Sequence, residues 1–130
     1  LRFVDPQPHH TLASYYRAAD VCLVPSRSES FGLVALEAAA CGVPVVASAV
    51  GGLLTLVEHE RTGYLVENRD PVEFASYVAR ILDDPGLAAE LAAGAVELAR
   101  RYTWSATAAR LRRLYVELSQ RIPVDCGAAR

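Results

Sequence analysis

The amino-acid sequence predicts an α/β fold in which helices cover a parallel β-sheet. Short apolar or β-branched runs alternate with stretches of helical periodicity, in the order β-α-β-α-β-α-β, and further helices follow. This alternation is typical of parallel strands joined by right-handed crossovers. The chain has 130 residues and is 52% hydrophobic, so it can bury one core. We therefore expect one domain, or part of one.

The predicted strands are apolar, as expected of strands that are buried on both faces of a sheet. They comprise Arg2–Val4, Val21–Pro25, Pro44–Ala49 and Gly63–Val66. The first strand begins almost at residue 1, whereas an open parallel sheet binds its ligand at the carboxyl ends of central strands. We therefore expect the second half of a doubly wound domain, with its neighbouring strands upstream.

Three predicted helices connect these strands. The second begins near Phe31 and ends at Gly42, and the third is a short helix over Leu53–Val57, after the breaker Gly51-Gly52. The first lies in the stretch "HHTLASYYRAAD", where four side chains share one helical face: Leu12, Tyr15, Tyr16 and Ala19.

Capping signals mark the helices that follow the last strand. Asp70–Glu73 has the pattern of a capping box with proline at the first helical position, and predicts a helix to about Asp83. Asp84 and the proline after it begin the next helix, to about Arg101.

The last predicted helix is capped by Thr103 and ended by Pro123. Residues 123–130 carry too little apolar surface to be held in place. We therefore expect one domain over residues 1–122, followed by a flexible tail.

The charge composition excludes several classes of partner. The 13 basic and 15 acidic residues are interleaved and form no basic patch, so nucleic acid is not expected as a partner. Every basic residue is an arginine, which excludes a lysine phosphate clamp from this segment. No apolar run approaches the length of a membrane span, and the first residues do not resemble a signal peptide. We expect a cytoplasmic protein, for which peripheral membrane contact is an open alternative that the sequence does not indicate.

The cysteines and histidines show no metal-binding pattern. Cys22 and Cys41 lie in apolar surroundings without a C-x-x-C pair, and are expected to be reduced packing residues. His9 and His59 are expected to be polar residues at a helix start and in a turn. No Asp-x-Asp pair or ligand-spaced cluster is present, so we expect no metal.

A candidate anion site lies at the start of the second predicted helix, in "SESFGLVALEAAACG". The first N–H groups of a helix lack intrahelical partners, so the amides of Gly32, Leu33 and Val34 can bind an anion. Gly32 also allows a phosphate to approach the backbone. Glu37 shares a helical face with Leu33, where its oxygens can accept from vicinal hydroxyls such as those of ribose. Glu29 would reach the other end of the ligand, and hydroxyls on both sides of a diphosphate describe a nucleotide sugar.

The same residues also fit a purely structural interpretation. Glu29 could be an ordinary charge at a helix start, and Glu37 a solvated surface residue. Glutamates are common, and any helix can place two at this spacing. The spacing alone leaves both interpretations open.

The stretch that ends at Gly52, "PSRSESFGLVALEAAACGVPVVASAVGG", closely resembles the carboxy-terminal signature of the retaining GT-B glycosyltransferases of family 4, or group 1. The match continues in "ERTGYLV", at Glu60–Val66. The resemblance implies a Rossmann-like parallel sheet, as part of a GT-B carboxy-terminal domain, followed by a helical tail. Within the family, "AADVCLVPSRSESFGLVALEAAACGVPVVA" is similar to the inositol-phosphate N-acetylglucosaminyltransferases of mycothiol biosynthesis.

The resemblance also implies roles for individual residues. In that family the first glutamate of the motif binds hydroxyls of the donor sugar at the catalytic centre, which implies this role for Glu29. The second binds the ribose, which implies that role for Glu37. Related enzymes often place the base at a strand's carboxyl end, which makes Gln7 a candidate base contact. The backbone that would bind diphosphate and sugar comprises Ser30, Phe31, Gly32, Leu33 and Val34.

The implied reaction is sugar transfer with retained configuration from a UDP- or GDP-sugar, without metal or other cofactor. The acceptor would be held by an amino-terminal domain of the same parent chain, so this segment alone would catalyse little. The sequence departs from the family at Leu54-Thr55, where many relatives carry Pro-Glu. The alternatives are a non-catalytic nucleotide-sugar-binding module and an α/β module that docks a partner.

Overall fold

Three parallel strands form the sheet in the computed structural model, which describes residues 1–121. The strands are β1 (Cys22–Val24), β2 (Val45–Ser48) and β3 (Gly63–Val66). β2 is central, and its Val45 pairs with Cys22 on one side and with Gly63 on the other. Every residue of β2 is buried. The predicted α/β fold with a parallel sheet is confirmed.

The first predicted strand, Arg2–Val4, does not form. These residues pair with no strand in the described part of the chain, and Phe3 is 88% exposed. A strand needs a neighbour for its backbone N–H and C=O groups, and β1 bonds only to β2 within residues 1–121. The prediction of four strands is therefore wrong, since the described sheet has three.

The helices begin and end near the predicted bounds. Their ranges are α1 (His9–Arg17), α2 (Leu33–Ala40), α3 (Leu53–Leu56), α4 (Pro71–Asp83), α5 (Pro85–Ala99) and α6 (Trp104–Arg121). α2 connects β1 to β2, and α3 lies between β2 and β3. A 3₁₀ turn, Glu67–Arg69, follows β3.

Side-chain caps start three helices where the sequence predicts them. Asp70 caps α4, Asp84 caps α5 and Thr103 caps α6, each through an oxygen that accepts a first-turn backbone N–H at 2.9 to 3.1 Å. These bonds satisfy donors that a helix leaves unpaired. Glu73 does not complete the predicted capping box, because its Oε1 accepts from the hydroxyl of Tyr77 at 3.3 Å instead.

The core lies on both faces of the sheet, because successive residues of a strand point to opposite sides. Val45 and Ala47 of β2 join one buried cluster, together with Ala38 of α2 and Leu53 of α3. Val46 points to the other face. The buried cluster there also comprises Tyr64, Val66, Phe74, Ile81 and Leu91.

The chain divides into two compact units, Leu1–Arg100 and a second unit that begins at Arg101 and contains α6. The sheet and α1 to α5 belong to the first unit. No helix within residues 1–121 is long and apolar enough to span a membrane. Pro123 and the predicted tail lie outside the described residues.

Candidate functional site

The loop between β1 and α2 places Glu29 against the start of α2. Oε1 of Glu29 accepts from the backbone N–H of Gly32 at 3.1 Å and from that of Phe31 at 3.4 Å. A carboxylate is favourable here because the amino end of a helix carries partial positive charge. The amide of Gly32 therefore has an acceptor within the protein.

Two amides at the same helix end remain open. Within residues 1–121, no protein acceptor bonds to the N–H groups of Leu33 and Val34, and the two residues are 62% and 47% exposed. The prediction of three unpaired amides is thus wrong for Gly32, because Glu29 lies close enough in sequence to fold back onto it. Two open N–H groups at a helix start suit an anion. A ligand that needs the third must displace Glu29.

Position 32 requires glycine because α3 packs against it, and not because a ligand needs space there. It is buried, with φ +99°, and a Cβ added there would lie 2.9 Å from Cδ2 of Leu53 and 3.2 Å from Cδ1 of Leu56. The predicted open approach over its α-carbon is therefore filled by α3. The left-handed backbone and this contact both favour glycine.

Gly51-Gly52, which the sequence marks only as a breaker, packs against the loop that carries Glu29. The N–H of Gly52 donates to the carbonyl oxygen of Glu29 at 2.9 Å. A Cβ at Gly51 would lie 1.8 Å from that same oxygen, and one at Gly52 would lie 2.3 Å from the carbonyl oxygen of Phe31. These two glycines therefore allow the close approach that fixes the loop.

Glu37 lies close to two residues of α1. Its Oε2 accepts from the hydroxyl of Tyr16 at 3.0 Å, and its Oε1 lies 3.6 Å from Nδ1 of His9. The side chain of Glu37 is 31% exposed. It is therefore not the fully solvated surface residue that the alternative, non-functional interpretation of the sequence assumed. The sequence places Tyr16 on the apolar face of the first helix, and no sequence signal indicates its contact with Glu37. His9 was predicted only as a polar residue at the helix start.

Burial raises the pKa of two groups in this region, Tyr16 and Cys22. Burial raises the pKa of Tyr16 above its ordinary value, and the hydrogen bond to Glu37 and the negative charge of Glu37 raise it further. The hydroxyl of Tyr16 therefore remains a donor. Burial also raises the pKa of the Cys22 thiol to about 11. Cys22 and Cys41 are free thiols, as predicted.

The free energy of unfolding is expected to fall as the pH rises from about 9 to about 11. In the unfolded chain Cys22 titrates near 9.0, whereas in the folded protein its pKa is about 11. Between these values the unfolded state has lost a proton that the folded state keeps, so alkali favours unfolding. The raised pKa of Tyr16 acts in the same direction. Urea unfolding at a series of pH values measures this slope, and Cys22→Ala should flatten it. A pH-independent stability in this window would contradict the prediction.

Gln7 lies at a small cavity near the start of α1. Its Nε2 donates to the carbonyl oxygen of Asp5 at 3.0 Å. The cavity has a volume of about 420 Å³ and is lined by Val4, Asp5, Pro6, Gln7, Leu12 and Tyr15. α1 therefore contributes both to this cavity and to the contacts of Glu37.

Arg69 is a further cation at the carboxyl edge of the sheet, and it was not predicted. Its Nε donates to the carbonyl oxygen of Pro25, directly after β1, at 3.3 Å. Asn68 and Arg69 both have left-handed backbone conformations, with φ 52° and 56°. Such conformations cost on the order of 1 kcal/mol each. No motif in the sequence indicates this turn.

The other residues that the sequence singled out lie in exposed positions. Ser30 and Phe31 are exposed in the β1–α2 loop. His59 was predicted as a polar turn residue, and it also makes defined contacts: its Nδ1 accepts from the N–H of Leu65 at 3.1 Å, and its ring lies edge-on to Tyr64.

In the part of the chain that the structure describes, no three His, Cys, Asp or Glu side chains form a metal-binding group.

Solved structures of glycosyltransferases share this fold. Sucrose-phosphate synthase from Thermosynechococcus elongatus matches 93% of the chain and 31% of its own, with 46% identity and a TM-score of 0.84. The Anabaena protein HepE in complex with UDP matches 82% of the chain and 29% of its own, with 30% identity and a TM-score of 0.70. HepE has also been solved with UDP-glucose. The architecture is that of the GT-B glycosyltransferases.

The family model for glycosyl transferases group 1 matches residues 1–98, and the chain belongs to this family. D-inositol 3-phosphate glycosyltransferase from Thermobispora bispora is 53% identical over 122 residues, which are 94% of this chain and 28% of that protein. D-inositol 3-phosphate glycosyltransferase 2 from Catenulispora acidiphila is 56% identical over 109 residues, or 84% of this chain and 26% of that protein. The chain therefore spans less than a third of the length of these relatives. The predicted group 1 and GT-B assignments are confirmed.

Proposed function

We propose that this chain is the donor-binding part of a retaining family 4 glycosyltransferase. It binds a UDP- or GDP-sugar, whose hexosyl or N-acetylhexosaminyl group passes to an acceptor on an amino-terminal domain of the parent chain. The observation that carries the proposal is the position of the open amides of Leu33 and Val34 between Glu29 and Glu37 in the chain. The HepE complexes support UDP as the nucleotide, and the names of the relatives support an inositol phosphate as the acceptor.

In this proposal the diphosphate binds at the start of α2. The N–H groups of Leu33 and Val34 donate to its oxygens, and the positive end of the helix stabilises its charge. Negative charge grows on the diphosphate as the sugar leaves, so preorganised donors lower the barrier to transfer. Arg69 adds a positive charge at the same edge of the sheet. The proposed reaction takes the nucleotide sugar as a substrate and uses no metal.

The two glutamates have different tasks. Glu37 accepts from the ribose hydroxyls at its partly exposed carboxylate. Glu29, which caps Gly32 in this structure, must leave that amide when the diphosphate arrives, because the two anions repel each other. Once released, its carboxylate accepts from hydroxyls of the donor sugar. Binding the diphosphate thus frees the group that recognises the sugar.

Titration calorimetry with UDP and with GDP tests the proposal. We expect one of the two to bind, and Glu37→Gln to weaken that binding by on the order of 1–2 kcal/mol, or about fivefold to thirtyfold. The lost interaction is a hydrogen bond between ribose hydroxyls and a charged acceptor. No turnover is expected from this chain alone, because the acceptor domain is needed for transfer.

Glu90→Gln is the matched control, since Glu90 is an exposed glutamate of α5. It removes the same charge on a helix that does not contribute to the proposed site, and the affinity should stay unchanged. Binding of neither nucleotide to the wild-type chain would contradict the proposed function. Equal affinity in wild type and Glu37→Gln would remove the ribose role of Glu37.

A further inference from the structure

Tyr16 and Glu37 join α1 to α2 through the hydrogen bond between the tyrosine hydroxyl and Oε2 of the carboxylate. We propose that Tyr16 is a positioning residue, which holds the Glu37 carboxylate in the orientation that accepts the vicinal hydroxyls of a ribose. The inference rests on the proposed function, and it adds a residue that does not itself touch the ligand.

The geometry leaves the carboxylate free to bind. An ionised carboxylate has about four acceptor positions on its two oxygens. The hydroxyl of Tyr16 occupies one position on Oε2, at 3.0 Å. Oε1 and the second position on Oε2 remain for two ligand hydroxyls. One bond to the protein therefore orients Glu37 without consuming the acceptors that a ribose needs.

Tyr16 is itself firmly placed. Its ring is partly buried and packs against the cluster on the α2 side of the sheet, beside Cys22 and Cys41. Sγ of Cys41 also approaches the carbonyl oxygen of Ala13 at 3.8 Å, which links the same two helices. Because the ring is packed, its hydroxyl is a fixed donor. A glutamate ordered before binding does not lose its rotamer freedom when the ligand arrives.

His9 does not provide the same restraint. Its Nδ1 lies 3.6 Å from Oε1 of Glu37, but the histidine side chain is 94% exposed. Ion pairs between exposed side chains contribute little, because solvent screens them and both partners lose side-chain entropy. The packed and directional contact of Glu37 is therefore the one with Tyr16.

Tyr16→Phe tests the inference, because it keeps the buried ring and removes only the hydroxyl. The probes are UDP and 2′,3′-dideoxy-UDP, which lacks both ribose hydroxyls, measured by titration calorimetry. We expect UDP to bind about fivefold more weakly to the variant, as for the loss of a hydrogen bond to a charged group. Dideoxy-UDP should bind equally to both proteins. The preference for UDP over dideoxy-UDP should therefore fall by the same factor.

Two further variants separate positioning from stability. Tyr77→Phe is a matched control, because the hydroxyl of Tyr77 also donates to a glutamate, Glu73, but on α4. It should leave the UDP preference unchanged. In a Glu37→Gln background, Tyr16→Phe should have a much smaller effect on UDP, because the group that it orients is altered.

The outcomes distinguish the two proposals. If the wild-type chain binds UDP and Tyr16→Phe keeps the full preference over dideoxy-UDP, the positioning role is wrong and the proposed function stands. If the variant loses affinity for both probes equally, Tyr16 acts only in folding, which also overturns the inference. If the wild-type chain binds neither UDP nor GDP, both proposals fail.

Discussion

Replacing Gly52 by alanine is expected to lower the free energy of unfolding by about 3 kcal/mol and to weaken UDP binding more than any other single change considered. A Cβ at position 52 would lie 2.3 Å from the carbonyl oxygen of Phe31 and 2.5 Å from its Cα, and backbone atoms cannot turn aside as a side chain can. The N–H of Gly52 also holds the carbonyl oxygen of Glu29. Relief of the clash therefore displaces the loop that leads into α2. Urea denaturation and calorimetry with UDP measure the two effects.

Gly86→Ala is the control for Gly52→Ala. A Cβ at Gly86 would lie 3.2 Å from Oδ1 of Asp84, which is a side-chain atom at the exposed start of α5. Alanine is also favoured over glycine in a helix, by about 0.5–1 kcal/mol. Stability should therefore change little and UDP binding should be unaffected. Wild-type stability in Gly52→Ala would show that the glycine contact does not hold the loop.

Replacing Glu29 by glutamine is expected to tighten the binding of UDP and to leave the affinity for UDP-glucose about unchanged. In this structure the Glu29 carboxylate accepts a hydrogen bond from the N–H of Gly32 and places a negative charge where the diphosphate would bind. Removing the charge should tighten UDP binding by roughly tenfold, or about 1.4 kcal/mol. The sugar hydroxyls meanwhile lose a charged acceptor, so any gain in affinity from the glucose should shrink by a similar factor. Calorimetry with both ligands gives the ratio directly.

The different responses of UDP and UDP-glucose make the Glu29→Gln result specific. A general loss of folding would weaken both ligands together, and thermal unfolding checks for such a loss. Glu90→Gln should change neither affinity. Weaker UDP binding in Glu29→Gln, with stability unchanged, would contradict the competition between Glu29 and the diphosphate.

Several features of the fold could be predicted because they depend on local signals. Helix starts at Asp70, Asp84 and Thr103 follow from side chains that cap their own first turn. The strand at Val45–Ser48 follows from a short apolar run between turns. The segment Arg2–Val4 has similar composition but forms no strand, because strand formation also needs a partner. Composition alone does not supply that partner.

Some of the contacts at the start of α2 were predicted. The motif correctly indicated that Glu29 lies at a helix start and that Leu33 and Val34 present open amides there. It did not indicate that Glu29 folds back onto Gly32. Arg69 was missed entirely, because it reaches Pro25 through a turn that no sequence motif marks.

Local sequence was sufficient for the three strands that form, for the helix starts and for the positions of the two glutamates, since periodicity and capping act between residues a few positions apart. The surroundings of those glutamates depend on tertiary structure. Tyr16 reaches Glu37 from a different helix, and Gly52 meets Phe31 only because β1 and β2 pair side by side. Such contacts join residues that are distant in the chain, and their geometry arises only when the sheet brings the loops and helices together.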